Sequence, residues 1–369
     1  MAFAEYLSSW KSFDFDRFTE AIDDAAVSRV LRKQTLTEQD FLTLLSEKVD
    51  RFLEEIARKA AQRTRLHFGN AVMLFTPMYI SNHCENVCPY CSFARHHDIV
   101  RGHLSLEEIA EEAQRICSTG MRHILLLTGE APAMVPVDHL EGVIRLLRNY
   151  FSSVAIEIYP LTGDDYRRLI DAGADSLTLY QETYDRQRYE RLHRGGPKAD
   201  YLFRLGAPER AAESGIRTVT VGALYGLSDW RSDAFYTALH ARYLQQHYPA
   251  VDIALSFPRL RPQAGDFTPR HYITDRQFVR LLVASRLFLP AAGITMSTRE
   301  AAPFRMSVLP LGVTKMSAGV STSVGGHGGE GSTPQFEIAD NRSVTTIRDD
   351  LLAAGFQPVM HDWNRSLTA

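Results

Sequence analysis

Cysteine is scarce in this chain of 369 residues: there are four, and three of them fall within eight positions. A chain this long with so few cysteines builds no disulfide framework, which excludes the small secreted scaffolds held together by bridges. No apolar run reaches the roughly 20 residues needed to cross a membrane as a helix. The start, Met-Ala-Phe-Ala-Glu-Tyr, lacks the basic flank and apolar stretch of a secretory leader. An excess of one charge is missing too. The formal net charge is -3 with no clustering of Lys and Arg, so neither nucleic acid nor membrane is expected as a partner. What is present, 45% apolar and 23% charged residues, suits an enzyme with one large core and an appendage. The expected compartment is a reducing cytoplasm, where exposed thiolates escape oxidation.

The three grouped cysteines lie in Ser-Asn-His-Cys-Glu-Asn-Val-Cys-Pro-Tyr-Cys-Ser-Phe, as Cys84, Cys88 and Cys91. Cubane iron-sulfur clusters are usually held by four thiolates, so three without a matching fourth leave one iron open for chemistry. A structural zinc site would want four N or S ligands, normally as two separated pairs. His83 is the one neighbour of a type able to complete such a set, and adjacent residues seldom both reach one metal. Cys117 sits in the apolar run of an expected helix and reads as a small core residue.

Along the chain, residues 1–70 are helical in pattern. Phe13 to Lys33 and Thr37 to Arg65 carry apolar residues at three- and four-residue spacing, and Thr37 with Asp40 is a helix-start signal. From Ala71 a repeated unit begins, in which a helix ends at Gly120, Gly173, Gly215 or Gly293 and a short apolar strand follows. The expected strands are Ala71 to Ile80, His123 to Glu130, Val154 to Leu161, Ser176 to Glu182, Thr218 to Gly226, Val251 to Leu260 and Ile294 to Glu300. Met306 to Val313 is a candidate eighth. Such alternation predicts an α/β fold, a (β/α)8 barrel of the TIM type over 71–320, with an open doubly wound sheet as competitor. Residues 321–369 would form a C-terminal loop and helix packing on the barrel. In a barrel the active site lies at the C-terminal strand ends. There the sequence places the cysteine loop, Thr128-Gly129-Glu130, Glu157-Ile158-Tyr159, Gln181-Glu182-Thr183-Tyr184, Ser256-Phe257-Pro258-Arg259-Leu260-Arg261 and Ser297-Thr298-Arg299-Glu300.

Taken in order, Cys84-x3-Cys88-x2-Cys91, these rim segments apart from Glu157-Ile158-Tyr159, and the terminal Asp362-Trp363 resemble the radical S-adenosylmethionine (SAM) superfamily, and within it 2-iminoacetate synthase, the tyrosine lyase of thiamine biosynthesis. The resemblance implies that Cys84, Cys88 and Cys91 bind a 4Fe-4S cluster whose open iron chelates SAM, and that Tyr90 lies against the adenine. It assigns Thr128, Gly129 and Glu130 to the SAM amino group, with Thr128 where the family has Gly. Glu182 would meet the ribose or amino group and Arg204 the carboxylate. The implied reaction is cleavage of the Cα–Cβ bond of L-tyrosine to 2-iminoacetate and 4-cresol, begun by a 5′-deoxyadenosyl radical. The partners implied are a thiazole synthase, to receive the unstable imine, and a one-electron donor such as flavodoxin or ferredoxin.

The substrate side rests on residue chemistry. The planar fork of an arginine matches an amino-acid carboxylate. Arg299 is the first candidate, with Arg259 and Arg261 as competitors. Tyr159, Tyr225, Ser256 and Ser297 are candidates to line a slot for the phenol. The Gly-rich stretch from Val324 to Gly331 lacks the Gly-Lys-Ser/Thr ending of a phosphate loop. It is expected as a mobile loop near the barrel mouth, with His327 a possible substrate contact. No cysteine follows Cys117, so the second cluster of the hydrogenase maturases is not expected. Tryptophan lyase, and a metal-binding barrel without catalysis, remain as alternatives.

Overall fold

A computed structural model of the chain describes residues 2–10, 12–269, 271–329 and 331–361. Asp362 and Trp363 lie outside the described residues. The chain opens with helices α1 (Phe3–Ser8), α2 (Phe15–Glu20), α3 (Asp24–Leu31), α4 (Glu38–Leu45) and α5 (Leu53–Phe68). Then follow β1 (Ala71–Ser81), α6 (Leu106–Ser118), β2 (His123–Thr128), α7 (Val137–Leu147), β3 (Ser153–Glu157), α8 (Gly163–Ala172) and β4 (Ser176–Tyr180). After three short helices, α9 (Arg186–Leu192), α10 (Tyr201–Leu205) and α11 (Ala207–Glu213), come β5 (Thr218–Gly222), α12 (Trp230–His247), β6 (Asp252–Ser256), α13 (Asp275–Phe288) and β7 (Gly293–Met296). The last elements are α14 (Ala302–Val308), β8 (Lys315–Ser317), α15 (Val344–Ala353) and β9 (Gln357–Val359).

Every strand pairing is parallel, and β1 bonds to both β2 and β8, with Thr76 opposite Ile124 and Leu74 opposite Met316. That double pairing closes β1 to β8 into a (β/α)8 barrel and excludes the open sheet; β9 pairs beside the start of β1. The eighth strand is not Met306–Val313. Pro303 near the start of α14 favours a helix there, and Pro310 has no N–H to give a ladder. The strand forms one turn later, at Lys315–Ser317, in register with Met73 on one side and Thr295 on the other.

The N-terminal segment is more broken than its periodicity suggests. Asp23 caps α3 by accepting from the Ala26 amide at 2.7 Å, which ends one helix and begins another. A 3-10 turn, Glu47–Phe52, separates α4 from α5. Thr37 and Asp40 do form a reciprocal capping box. Phe41, Leu42, Leu44 and Leu45 of α4 are buried, and α4 and α5 pack on α12 and α13. Full burial of each such side chain contributes about 1.5–3 kcal/mol. Gly120, Gly173 and Gly215 hold positive φ angles of 89°, 115° and 92° after their helices. Gly293 does not; it opens β7 instead, with a Cβ there meeting that of Ala254 at 3.1 Å.

Every strand from β2 to β7 ends sooner than its apolar run suggests, so the polar residues after each belong to the mouth loops rather than to the ladder. The far C-terminal segment is tied back onto the barrel by a buried ion pair, Arg305 to Asp340, and Arg305 also donates to the Ser317 carbonyl at 2.5 Å.

Candidate active site

A chamber of about 1040 Å³, counted out to its mouth, sits at the C-terminal ends of the strands. Its wall includes Cys84, Cys88 and Cys91, with Tyr90, Thr128, Gly129, Glu130, Tyr159, Glu182, Arg204, Arg261 and Arg299. Arg259, Ser297, Tyr225 and Ser256 do not line it. Arg259 turns outward to Glu300 and Asp275 and lies 5.2 Å from the ring centroids of Phe278 and Phe304. Two carboxylates and two aromatic faces satisfy that guanidinium locally, which draws it away from the cavity. The Ser297 hydroxyl accepts from the Arg299 amide at 3.4 Å, and Ser256 shares a 3.0 Å hydrogen bond with Tyr180. Tyr159 lines the chamber with its ring, but its hydroxyl donates to the Val135 carbonyl at 2.6 Å.

The cysteine loop is braced from several directions. Arg101 donates to the carbonyls of Asn82 and Phe93, each at 2.7 Å, and to that of Ala94 at 2.8 Å. The Glu85 amide donates to the Glu130 carbonyl at 2.8 Å, joining the loop to the end of β2. Asn86 donates to the Glu130 carboxylate at 2.7 Å and to Cys84 Sγ at 3.6 Å, while its Oδ1 accepts from the Lys198 amide at 2.9 Å. Gly129 has no room for a side chain: a Cβ would stand 2.2 Å from the His83 carbonyl oxygen. Gln335 donates to Cys91 Sγ at 3.8 Å and accepts from the Tyr79 hydroxyl at 2.9 Å.

All four cysteines are free. Burial pushes the Cys88 thiol up to about 12 and the Cys91 thiol up to about 11, so a metal entering here would displace their protons. Among the described residues no three His, Cys, Asp or Glu side chains stand close enough to hold a single ion. Three separate thiols on one cavity wall fit a cluster that offers each a different iron, not a lone zinc.

Next to Cys88 lies a charged group of three. Glu182 Oε1 meets Lys198 Nζ at 2.5 Å and an Arg204 nitrogen at 3.4 Å, and Arg204 Nε donates to the Tyr180 carbonyl at 2.8 Å. Burial would raise the Glu182 carboxyl, but Lys198 and Arg204 outweigh it and hold the group below its usual range. Glu182 carries a φ of 70°, a conformation that disfavours a side chain. The turn is held by Asp233 of α12, which accepts from Thr183 Oγ1 at 2.9 Å and from the Tyr184 amide at 2.8 Å. Tyr90 shares a 2.6 Å hydrogen bond with His193, whose imidazole burial lowers to about 3 and so keeps neutral.

Across the chamber, Arg299 sits over the Phe336 ring, its guanidinium carbon 3.4 Å from the ring centroid. Glu157, at the end of β3, also faces the cavity; burial pushes its carboxyl up to about 7 against the opposing pull of Arg299. The Gly-rich segment is tied down rather than open to the chamber. Val324 bridges to Tyr79, and His327 bonds the Pro77 carbonyl at 3.0 Å, with its amide donating to Glu112 at 2.8 Å. His327 therefore points to the outside of β1 and does not line the chamber.

Sequence reasoning missed Lys198, Asn86, Gln335 and Phe336 as cavity residues. Glu157 was visible as a polar strand end and went unassigned.

A barrel whose first strand leads into three cysteines at an enclosed mouth defines a radical SAM protein. The Radical SAM superfamily matches residues 78–236, and the Biotin and Thiamin Synthesis associated domain matches residues 256–357. The chain is 39% identical to the 2-iminoacetate synthase of Escherichia coli, over 97% of this chain and 96% of that protein. It is 36% identical to the Salmonella typhimurium 2-iminoacetate synthase, over 97% of each. The chain belongs to the 2-iminoacetate synthase family. In structure it is similar to the FeFe-hydrogenase maturase HydG from Carboxydothermus hydrogenoformans, with a TM-score of 0.86 and 30% identity over 98% of this chain and 83% of that one. Methylornithine synthase shares the fold, with a TM-score of 0.72 at 22% identity over 90% of this chain and 97% of that one. Among the described residues no helix is long and apolar enough to cross a membrane.

Proposed function

We propose that this enzyme cleaves the Cα–Cβ bond of L-tyrosine to 2-iminoacetate and 4-cresol, consuming SAM and supplying the two-carbon imine for the thiazole of thiamine. The observation that carries the reading is identity of 39% to a 2-iminoacetate synthase across nearly the whole of both chains. Cys84, Cys88 and Cys91 would hold a 4Fe-4S cluster. When bound, the cluster and SAM supply the radical that starts the cleavage.

The protein's own part is positioning and exclusion of water. Tyr90, Thr128, Gly129, Glu130, Glu182 and Arg204 would seat SAM, and the excess positive charge of Lys198 and Arg204 over Glu182 suits the SAM carboxylate beside Cys88. Arg299 would take the tyrosine carboxylate, its plane fixed by Phe336 so that little rotamer freedom is lost on binding. Arg259 and Ser297 would act at one remove, the Arg259 carbonyl accepting from the Arg299 guanidinium and the Ser297 hydroxyl from the Arg299 amide. Enclosure keeps the reacting atoms close together and slows hydrolysis of the imine. A thiazole synthase receiving the imine directly and a flavodoxin or ferredoxin as electron donor complete the reading, with the exposed rim or helices 1–70 as docking surfaces.

The deciding experiment is anaerobic reconstitution with iron and sulfide, then incubation with SAM, a reductant and either tyrosine or tryptophan. Tyrosine-dependent 4-cresol with 5′-deoxyadenosine and glyoxylate is expected. Deoxyadenosine without cresol would mean another substrate.

A further inference from the structure

Among the described residues three carboxylates line the chamber, and two of them are already engaged. Glu130 accepts from Asn86 at 2.7 Å, and Glu182 is shared by Lys198 and Arg204. Glu157 is the third. Among the described residues its carboxylate has neither a hydrogen-bond nor an ion-pair partner. Arg299 is its counterpart: among the described residues no carboxylate pairs with its guanidinium, whose one hydrogen bond is a 3.4 Å contact to the Arg259 carbonyl. The two line the same cavity and sense each other's charge, yet do not meet. Leaving an acid and a base apart in an enclosed space is costly unless a ligand supplies both opposite charges. An α-amino acid does so from a single carbon. A phenol hydroxyl on Glu157 would leave the substrate ammonium without an anion.

We propose that Glu157 receives the α-ammonium group of the substrate, opposite the Arg299 clamp on its carboxylate, and takes one proton from it so that the amine enters the reaction uncharged. The N–H bond pair stays on nitrogen and the proton moves to a carboxylate oxygen, so the step needs no other reactant. A carboxyl raised to about 7 is matched to that task near neutral pH. The groups facing it are Tyr79 from β1, Tyr180 from β4, Glu182 beyond β4, Lys198 and Arg204 from the segment leading into and through α10, and Arg299 beyond β7. The inference rests on the tyrosine reading above.

The test uses the reconstituted enzyme with SAM bound and no reductant. Calorimetric affinities are measured for L-tyrosine, for 3-(4-hydroxyphenyl)propanoate, which lacks the amine, and for L-phenylalanine, which lacks the hydroxyl, with wild type and Glu157→Gln. In wild type, removing the amine is expected to weaken binding by roughly 30-fold, the size of a charge-assisted hydrogen bond; in the variant the same change weakens it less than about threefold. Loss of the hydroxyl should cost the same in both. With reductant present, cresol formation by wild type should rise with pH through a limb near 7 that the variant lacks. Equal amine penalties in the two proteins would overturn the assignment, as would a hydroxyl penalty that vanishes in the variant. Should Glu157→Gln not fold, Glu157→Asp retains the charge and is expected to weaken tyrosine more than 3-(4-hydroxyphenyl)propanoate; equal weakening again overturns it. Wild type that makes no cresol from tyrosine would fail the substrate reading instead, and the affinity comparison keeps the two failures distinct.

Discussion

The two sides of the chamber treat their charges in opposite ways. On the cysteine side Glu182 is bonded to Lys198 and Arg204, Glu130 to Asn86, and two of the thiols to amide side chains. On the far side Glu157 and Arg299 have no ion-pair partner among the described residues, Arg299 resting on Phe336. The first arrangement is a rigid seat whose geometry is set before any ligand enters; the second is completed only by a ligand. Rigidity suits a cluster and SAM, whose reactive atom must be held to within a fraction of an ångström. Unpaired charge suits a zwitterion, which gains affinity from groups that have no internal partner to give up.

The largest way to break this picture is at the cysteine wall. Cys88→Ala is expected to abolish the cluster absorbance and all product while leaving the far-ultraviolet circular dichroism unchanged; a variant that still assembles a brown cluster would mean that the three thiols are not the ligand set. Next in size is Glu182→Gln. It leaves Lys198 and Arg204 buried beside each other without an anion, a loss of about 3–5 kcal/mol in unfolding free energy. The two carboxyls also differ in the sign of their pH dependence. The Glu182 carboxyl is lowered in the folded protein, so its stabilisation is complete above the unfolded carboxylate range and fades as pH falls through the lower folded value. The Glu157 carboxyl is raised to about 7, so the folded protein binds the extra proton between the unfolded value and 7, and stability falls as pH rises across that window. Urea unfolding from pH 5 to 7.5 should show a decline that Glu157→Gln removes and Glu182→Gln does not.

Gly129→Ala tests whether the seat is preset. A Cβ would press on the His83 carbonyl and force the cysteine loop outward. A stability loss of about 1–3 kcal/mol is expected, with SAM affinity and cluster retention falling while tyrosine-side residues keep their place. Unchanged cluster retention would show that the loop yields easily.

Much of this site could be read from residue order because barrel strands deliver their following residues to one rim. The cysteine triplet, Glu130, Glu182, Arg204 and Arg299 each follow an apolar run or lie in a recognisable string, and they reach a common cavity. Lys198 carries no such signal. It enters through a turn in which Gly196, at φ 85°, packs on Asn86, and neither periodicity nor spacing foretells that contact. Gln335 and Phe336 come from beyond β8 and meet residues about 250 and 40 positions earlier, a pairing set by tertiary packing. The eighth strand was misplaced for a local reason: an apolar run containing Pro310 looks like a strand by hydrophobicity but cannot complete a ladder. Arg259 and Arg299 looked alike in sequence because both follow a strand; only the surrounding carboxylates and rings separate them.

That separation yields the smallest and sharpest test. Arg259→Lys loses the fork shared with Glu300 but retains a cation beside Glu300 and Asp275, so roughly 1–2 kcal/mol of stability is expected to go, with tyrosine affinity changed less than about twofold. Arg299→Lys loses both the planar match to a carboxylate and the stacking on Phe336, and should weaken tyrosine by about tenfold or more while SAM binding and cluster absorbance stay as in wild type. The measurement is one calorimetric series on the two variants at a single pH. If the affinity loss follows Arg259 rather than Arg299, the carboxylate clamp reaches in from the β6 loop after a rearrangement, and the free charge that Glu157 faces must be reassigned with it.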